Sequence, residues 1–306
     1  MERRLLFSSK LLLLGEHAIV IGSKGFAIPY PHYGGQWIYE TPIQPEDFNS
    51  KESLKQFADY IQHKSPTQKP FQSIDIQRFK SKIDSGLYFK SNIPQGYGLG
   101  SSGALCAGVV YEFGKPDMIS DMDLNELRHL FALLESHFHG SSSGVDPLIC
   151  YLNKPLLLLS RSEAEVVSLP EFSGENGVIF LLDTGIQRKT GPLVNLFLER
   201  CENPDYRRLI DEQLNPFNES AVISFLVNDI PAFEEAWLAI SQFQLEHFKP
   251  MIPEGFERIW QKGLESGEFY LKICGAGGGG YFLGYAPKID NGTANLPDGT
   301  LVVMEV

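Results

Sequence analysis

The stretch from Pro94 to Ala107, PQGYGLGSSGALCA, restricts the fold of this chain more than any other. Glycine recurs at 96, 98, 100 and 103 among small and hydroxyl side chains, and an apolar run from Ala104 to Phe113 follows at once. That order predicts a glycine-rich loop opening a helix that runs to about Phe113 and is closed by Gly114 and Pro116. Such a loop lets a ligand approach the backbone closely, and the first-turn N–H groups and helix dipole favour an anion. Ser101 and Ser102 stand where N-cap residues are expected, with hydroxyls that could equally meet a phosphate or its metal. A plain turn with a helix cap fits the same composition, so the rest of the chain has to decide.

The remaining composition narrows the classes. With 306 residues the chain is long enough for one large domain or two ordinary ones, each with ample core. A net charge of −12 argues against nucleic acid as a partner, so an anionic ligand would need local basic groups set against the global field. Cys106, Cys150, Cys201 and Cys274 form no CxxC pair, which suits a reducing compartment and gives no zinc signal. The opening MERRLLFSSKLLLLGEH has the look of a signal peptide, but Lys10 splits the apolar run and Glu16-His17 follows it. No stretch approaches the length of a membrane span, and the expected location is the cytoplasm.

Taken in order, residues 4–14 read as a buried strand carrying Lys10. AIVIG and a second strand, FAIPY, follow, with Gly22 and Gly25 at the turn. A lysine among apolar strand residues calls for an anion or carboxylate partner, unless it sits at a wet edge. Ser53–Gln62 predicts an amphipathic helix, and SIDIQRF and GLYFK alternate as a strand pair would. Asp121 to His139 predicts a strong helix whose stripe of Leu124, Leu127, Phe131, Leu134 and Phe138 borders Glu135. A carboxylate on that face needs a metal, a lysine or hydrogen-bond donors. HGSSSGVDPL then delivers Asp146 to the start of another apolar segment, where it could simply cap a helix or turn. PLLLLS and EVVSL read as strands, and the polar PEFSGENG marks the expected domain boundary, giving domains 1–173 and 174–306. Beyond it lie a buried strand, VIFLLDTG, a basic loop, IQRKTGPLV, and helical patterns at 192–202, 205–228, 231–247 and 254–266. EFYLKIC leads into a second glycine loop at 275–280, then come YFLGY and a terminal strand, LVVMEV.

Both glycine loops satisfy GxGxxG, but the first has Pro94 between strand and loop and a helix start where a dinucleotide site needs an acidic strand end. A Walker A loop is excluded because no GK[ST] follows the glycines. Three separated stretches, KLLLLGEHAIVIG, PQGYGLGSSGA and LKICGAGGGGYF, resemble in order the three motifs of the GHMP kinase superfamily. ESHFHGSSSGVDP resembles the segment that ends in the active-site aspartate of its mevalonate kinase branch, and DTGIQRKTGPLV the start of that branch's second domain.

The resemblance implies an α+β, two-domain GHMP kinase fold: an N-terminal domain like ribosomal protein S5 domain 2, and a ferredoxin-like C-terminal domain. It implies ATP and Mg²⁺ as cofactors, with Gly98, Leu99, Gly100, Ser101, Ser102 and Gly103 at the ATP phosphates and Ser102 and Glu135 on the metal. Asp146 matches the aspartate facing the accepting hydroxyl, and Lys10 the lysine beside it. Glu16, His17, Arg188, Thr190, Gly275, Ala276 and Gly277 match the substrate side. Gly103 departs from the motif, which usually carries alanine there. The activity implied is phosphoryl transfer to mevalonate, with a homodimer left open; the galactokinase signature after GEH is replaced by Ala18-Ile19-Val20. Phosphomevalonate kinase, a sugar kinase and a non-catalytic nucleotide-binding protein are the rival readings, the last of which predicts loss of Lys10 or Asp146.

Overall fold

The computed structural model describes residues 6–39, 51–160, 163–187, 190–288 and 294–306. The chain forms two compact units that follow no single cut in the sequence. One comprises residues 1–11, 28–94 and 99–154, and the other residues 12–27, 95–98 and 155–306. The expected boundary near 173 therefore falls inside the second unit. The reason lies in β-pairing: Leu156–Leu158 (β4) runs antiparallel to Gly25–Ala27, at the start of the long strand Gly25–Tyr39 (β2).

Strand β1 (Phe7–Leu14) is buried along almost its whole length and neighbours β2 in the sheet. In the first unit the far end of β2, Gly35–Tyr39, pairs antiparallel with β3 (Leu87–Ser91). The helices of this unit are α1 (Lys51–Lys64), α2 (Ile76–Asp84), α3 (Ser101–Phe113), α4 (Pro116–Ser120), α5 (Leu124–His139) and α6 (Val145–Leu152). Helix α3 is buried nearly all round, as its unbroken small and apolar sequence requires. Helix α5 begins at a capping box in which Asp123 and Glu126 satisfy each other's backbone N–H groups.

One strand expectation gives way to helix. In SIDIQRF the Asp75 side chain accepts from Arg78 N at 3.0 Å, capping α2, so that Phe79 and Ile83 fall one turn apart on a buried face. AIVIG closes into a single 3₁₀ turn over Ala18–Ile21, with Val20 N donating to the His17 carbonyl and Gly22 in the left-handed region at its end.

In the second unit β4 pairs with β5 (Ala164–Val166). The chain continues through β6 (Gly177–Asp183), α7 (Thr190–Cys201) and α8 (Pro204–Leu209), which passes by a π turn into α9 (Asn215–Leu226). Helices α10 (Ile230–His247) and α11 (Glu257–Ser266) precede β7 (Tyr270–Ile273), β8 (Tyr281–Pro287) and β9 (Thr300–Glu305). The four strands β6–β9 form an antiparallel sheet in the order β7-β8-β6-β9. Counted from β6, that is the fourth–first–third–second arrangement of a ferredoxin-like sheet, as the resemblance implied. Among the described residues no helix is long and apolar enough to cross a membrane.

Candidate active site

In the first unit three elements bring their charged residues together. Lys10 lies in the middle of β1, and its backbone N–H donates to the Leu99 carbonyl at 3.0 Å, tying the strand to the glycine loop. Its side chain is 9% exposed and its Nζ lies 2.9 Å from Asp146 Oδ2, so the anion that the sequence demanded is a carboxylate of α6. Asp146 does not cap that helix. Gly144 occupies the N-cap, and Asp146, 34% exposed, sits in the first turn with one face open to solvent.

The glycine loop enters α3 through Gly100 in the left-handed region (φ 78°), and Gly100, not either serine, is the N-cap. Ser101 and Ser102 are instead the first two helical residues. Because Gly100 provides no side-chain cap, the first N–H groups of α3 are left for another acceptor. A Cβ on Gly100 would come within 2.8 Å of the Lys10 stem, so this glycine serves the turn and the path of the lysine together. At Gly103 a Cβ would lie 2.9 Å from Pro147 N and 3.2 Å from Asp146 Cβ. The departure from the motif's usual alanine is thus matched by a close approach of α3 to the start of α6.

Glu135 is buried on α5 and receives two hydroxyls. Ser102 Oγ donates to Oε1 at 2.9 Å and Ser142 Oγ to Oε2 at 2.5 Å. Burial, then the charge of Asp146, push the Glu135 carboxyl up to about 7 against the relief given by Ser142, Ser102 and Lys10. His139, one turn beyond Glu135 and exposed, places Nε2 2.9 Å from Ser102 Oγ. Since the serine proton is directed to Glu135, the histidine donates. Ser142 and His139 are additions to the site. The i, i+4 spacing of Glu135 and His139 and the hydroxyl run at 141–143 are the signals that could have found them. Hard oxygen donors on a buried carboxylate with a raised pKa fit Mg²⁺ completed by phosphate and water. Among the described residues no group of three or more His, Cys, Asp and Glu side chains is placed to hold a metal by itself.

The second unit holds the other glycine segments. Gly98 ends the short piece 95–98, in which Tyr97 lies 5.0 Å, ring to ring, from Tyr281. A Cβ on Gly280 would meet the Tyr97 backbone at 3.0 Å, so the second and third motifs meet here backbone to backbone. Thr184 fixes the end of the 275–280 segment, donating through N and Oγ1 to the Gly280 carbonyl at 2.9 and 2.6 Å. Glu16 and His17, expected on the substrate side, are both buried. Glu16 Oε1 lies 2.5 Å from Lys272 Nζ, and His17 Nε2 donates to the Ala276 carbonyl at 3.0 Å. His17 adopts φ 59°, a backbone region that costs a non-glycine residue about 1–3 kcal/mol and persists only where surroundings enforce it. Gly275 is half-buried, Ala276 and Gly277 buried. Arg188 and the Thr190 side chain lie outside the described residues.

A helix N-terminus opened by glycine, a lysine–aspartate pair and a buried serine–glutamate pair thus lie together in the first unit, an arrangement compatible with a phosphate ligand and its metal. Residues 54–154 match the family model for the GHMP kinases N terminal domain. The fold extends the likeness beyond that segment. The Leishmania major mevalonate kinase solved with R-mevalonate superposes at a TM-score of 0.63, with 14% identity, over 95% of this chain and 89% of that one. A Lactococcus lactis galactokinase solved with galactose superposes at 0.61, with 15% identity, over 92% and 84%. A Streptococcus pneumoniae phosphomevalonate kinase superposes at 0.59, with 14% identity, over 91% and 90%. Three acceptors within so narrow a range of similarity mean that the fold does not choose the substrate. No curated protein sequence matches the chain.

Proposed function

We propose that this chain transfers the γ-phosphoryl group of ATP to the primary hydroxyl of mevalonate, in the cytoplasm, as a step of isoprenoid precursor synthesis. The observation that carries the kinase reading is the Lys10–Asp146 pair at 2.9 Å, on elements tied directly to the glycine loop. In this reading the first N–H groups of α3, with the backbone of Gly98 to Gly103, receive the phosphate oxygens. Asp146, with one face open, accepts or orients the hydroxyl proton, and Lys10 offsets the negative charge that builds during transfer. Ser102 and Glu135 would hold Mg²⁺, which when bound neutralises charge on the phosphates. Most of the rate enhancement then comes from positioning and electrostatics.

Mevalonate as acceptor is supported by GEHAIVIG, with its apolar continuation, and by SSSGVDP. The purified protein should consume ATP with (R)-mevalonate and not with galactose or homoserine, as read by ADP release across a substrate panel. Turnover confined to phosphomevalonate or a sugar would overturn the acceptor assignment and leave the kinase reading standing.

A further inference from the structure

The second unit contains an ion pair that the reaction described above does not use. Lys272 is the third residue of β7, fully buried, in a strand whose neighbours are apolar. Its ammonium group meets Glu16 Oε1 at 2.5 Å, donates to the Ile273 carbonyl at 3.3 Å and lies 5.3 Å from the centroid of the Trp237 ring. The two side chains are 0% and 2% exposed. One residue further on, His17 donates to the Ala276 carbonyl at 3.0 Å, inside the glycine segment that β7 leads into. Two successive residues of the Gly15-Glu16-His17 turn thus grip the 272–276 stretch, one by charge and one by a backbone hydrogen bond.

We infer that Glu16, His17 and Lys272 are positioning residues that clamp the third glycine segment, and that Glu16 acts through Lys272 and not by touching the acceptor. The inference rests on the kinase reading for its functional meaning, though the clamp itself does not. A carboxylate 2% exposed and held by a buried ammonium offers a ligand almost no accessible surface, and breaking the pair strands a charge in the core. The segment being held needs an external brace. Gly277, Gly278, Gly279 and Gly280 all have positive φ, and between β7 and β8 they lack the ladder bonds of a strand. Its described backbone bonds are isolated ones instead, Gly278 N to the Met251 carbonyl, Gly280 N to the Ile186 carbonyl and Thr184 N to the Gly280 carbonyl. On the other side, α10 holds β7 itself, Trp237 Nε1 donating to the Tyr270 carbonyl and Gln244 Oε1 accepting from Ile273 N. Glu16 and His17 supply what α10 does not reach, namely the junction between strand and glycine segment.

The test is hydrogen exchange at the 275–280 amides of the full-length protein, alongside thermal melting and steady-state kinetics, for Glu16→Gln, Lys272→Met and the apolar pair E16L/K272M. The single variants should raise exchange at 275–280 and lower kcat by about 10- to 100-fold, as expected of a misplaced segment. KM for the acceptor should stay within about 3-fold, because only transition-state geometry is lost. Replacing both charges removes the stranded partner, so the double variant should melt near the wild type and regain protection at 275–280. A Glu16→Gln protein with unchanged exchange and melting but a large rise in acceptor KM would overturn the inference, making Glu16 a substrate contact. So would a double variant whose exchange and melting losses equal the sum of the single ones. If no acceptor is turned over at all, the kinase reading fails while the exchange data still decide the clamp.

Discussion

Two lysine–carboxylate pairs stand at comparable places in the two units, each with the lysine in an apolar strand beside a glycine segment. Lys10 and Asp146 meet at 2.9 Å with the aspartate one-third exposed. Lys272 and Glu16 meet at 2.5 Å with neither side chain reaching solvent. The contacts are chemically alike and their consequences are not. An aspartate that keeps a wet face can accept from a substrate hydroxyl without giving up its lysine, which suits reaction chemistry. A pair sealed on both sides cannot be rearranged cheaply and therefore serves to fix geometry.

The first way to break this comparison is to remove the reactive carboxylate. Asp146→Asn should cut kcat by about 10²- to 10⁴-fold, the range for a positioned acid–base group, while ATP binding measured calorimetrically stays close to the wild type. Near-normal turnover in that variant would remove Asp146 from the reaction and leave the two pairs equivalent.

The next largest effect should fall on stability. Lys272→Met leaves a buried carboxylate uncompensated and should cost about 3–5 kcal/mol in denaturant unfolding. Lys10→Met leaves Asp146 able to turn to water and should cost about 1 kcal/mol or less, with its loss appearing in kcat. Equal unfolding penalties for the two lysines would erase the distinction drawn here.

Sequence reasoning separated these pairs only halfway. Lys10 is legible because a lone charge inside SSKLLLL calls for a partner unless it sits at a wet edge, and Glu135 because a carboxylate on an apolar helix stripe calls for a cation or hydrogen-bond donors. Lys272 sits in FYLKIC with the same signature, yet the glycines that follow dominate the reading of that stretch. Glu16 and His17 take substrate-side roles by resemblance, because burial of a turn by distant elements leaves no local periodicity. The strand expected at SIDIQRF fails for a related reason: Asp75 reads as a polar alternation partner until its side chain is seen capping α2. The N-cap expected at Ser101 or Ser102 lies one or two residues earlier, since the left-handed Gly100 takes the cap itself. Helix α3, the last helices and the C-terminal strands as segments are legible because periodicity and glycine punctuation agree there, whereas the order of those strands in the sheet follows only from the resemblance.

A smaller test probes how tightly the first pair is held. Gly103→Ala restores the residue usual in the motif, yet its Cβ would lie 2.9 Å from Pro147 N, a backbone atom that cannot swing aside. The start of α6 should shift, carrying Asp146 with it, and kcat should fall by about 10-fold with little change in melting temperature. Unchanged kinetics would mean that Asp146 tolerates displacement and is held less closely than its partner geometry indicates.

The smallest expected effect concerns Glu135, which shares the burial of the Lys272–Glu16 pair but has hydroxyls where that pair has an opposite charge. Its carboxyl is pushed from 4.5 up to about 7, so between these values the folded protein binds more protons than the unfolded chain. Stability from this group is therefore present at pH 4.5 and below and declines as pH rises toward 7, the full penalty remaining above it. Glu135→Gln removes the penalty and should be more stable than the wild type by about 1–3 kcal/mol at pH 8, with no advantage near pH 4.5. Mg²⁺ with nucleotide should then raise the melting temperature of the wild type at pH 8 by more than the variant's, because only the carboxylate gains directly from the cation. A variant less stable than the wild type at pH 8 without metal would show that the two serine hydroxyls already compensate the charge. Glu135 would then belong with the sealed, structural pair of the second unit and not with the reactive set of the first.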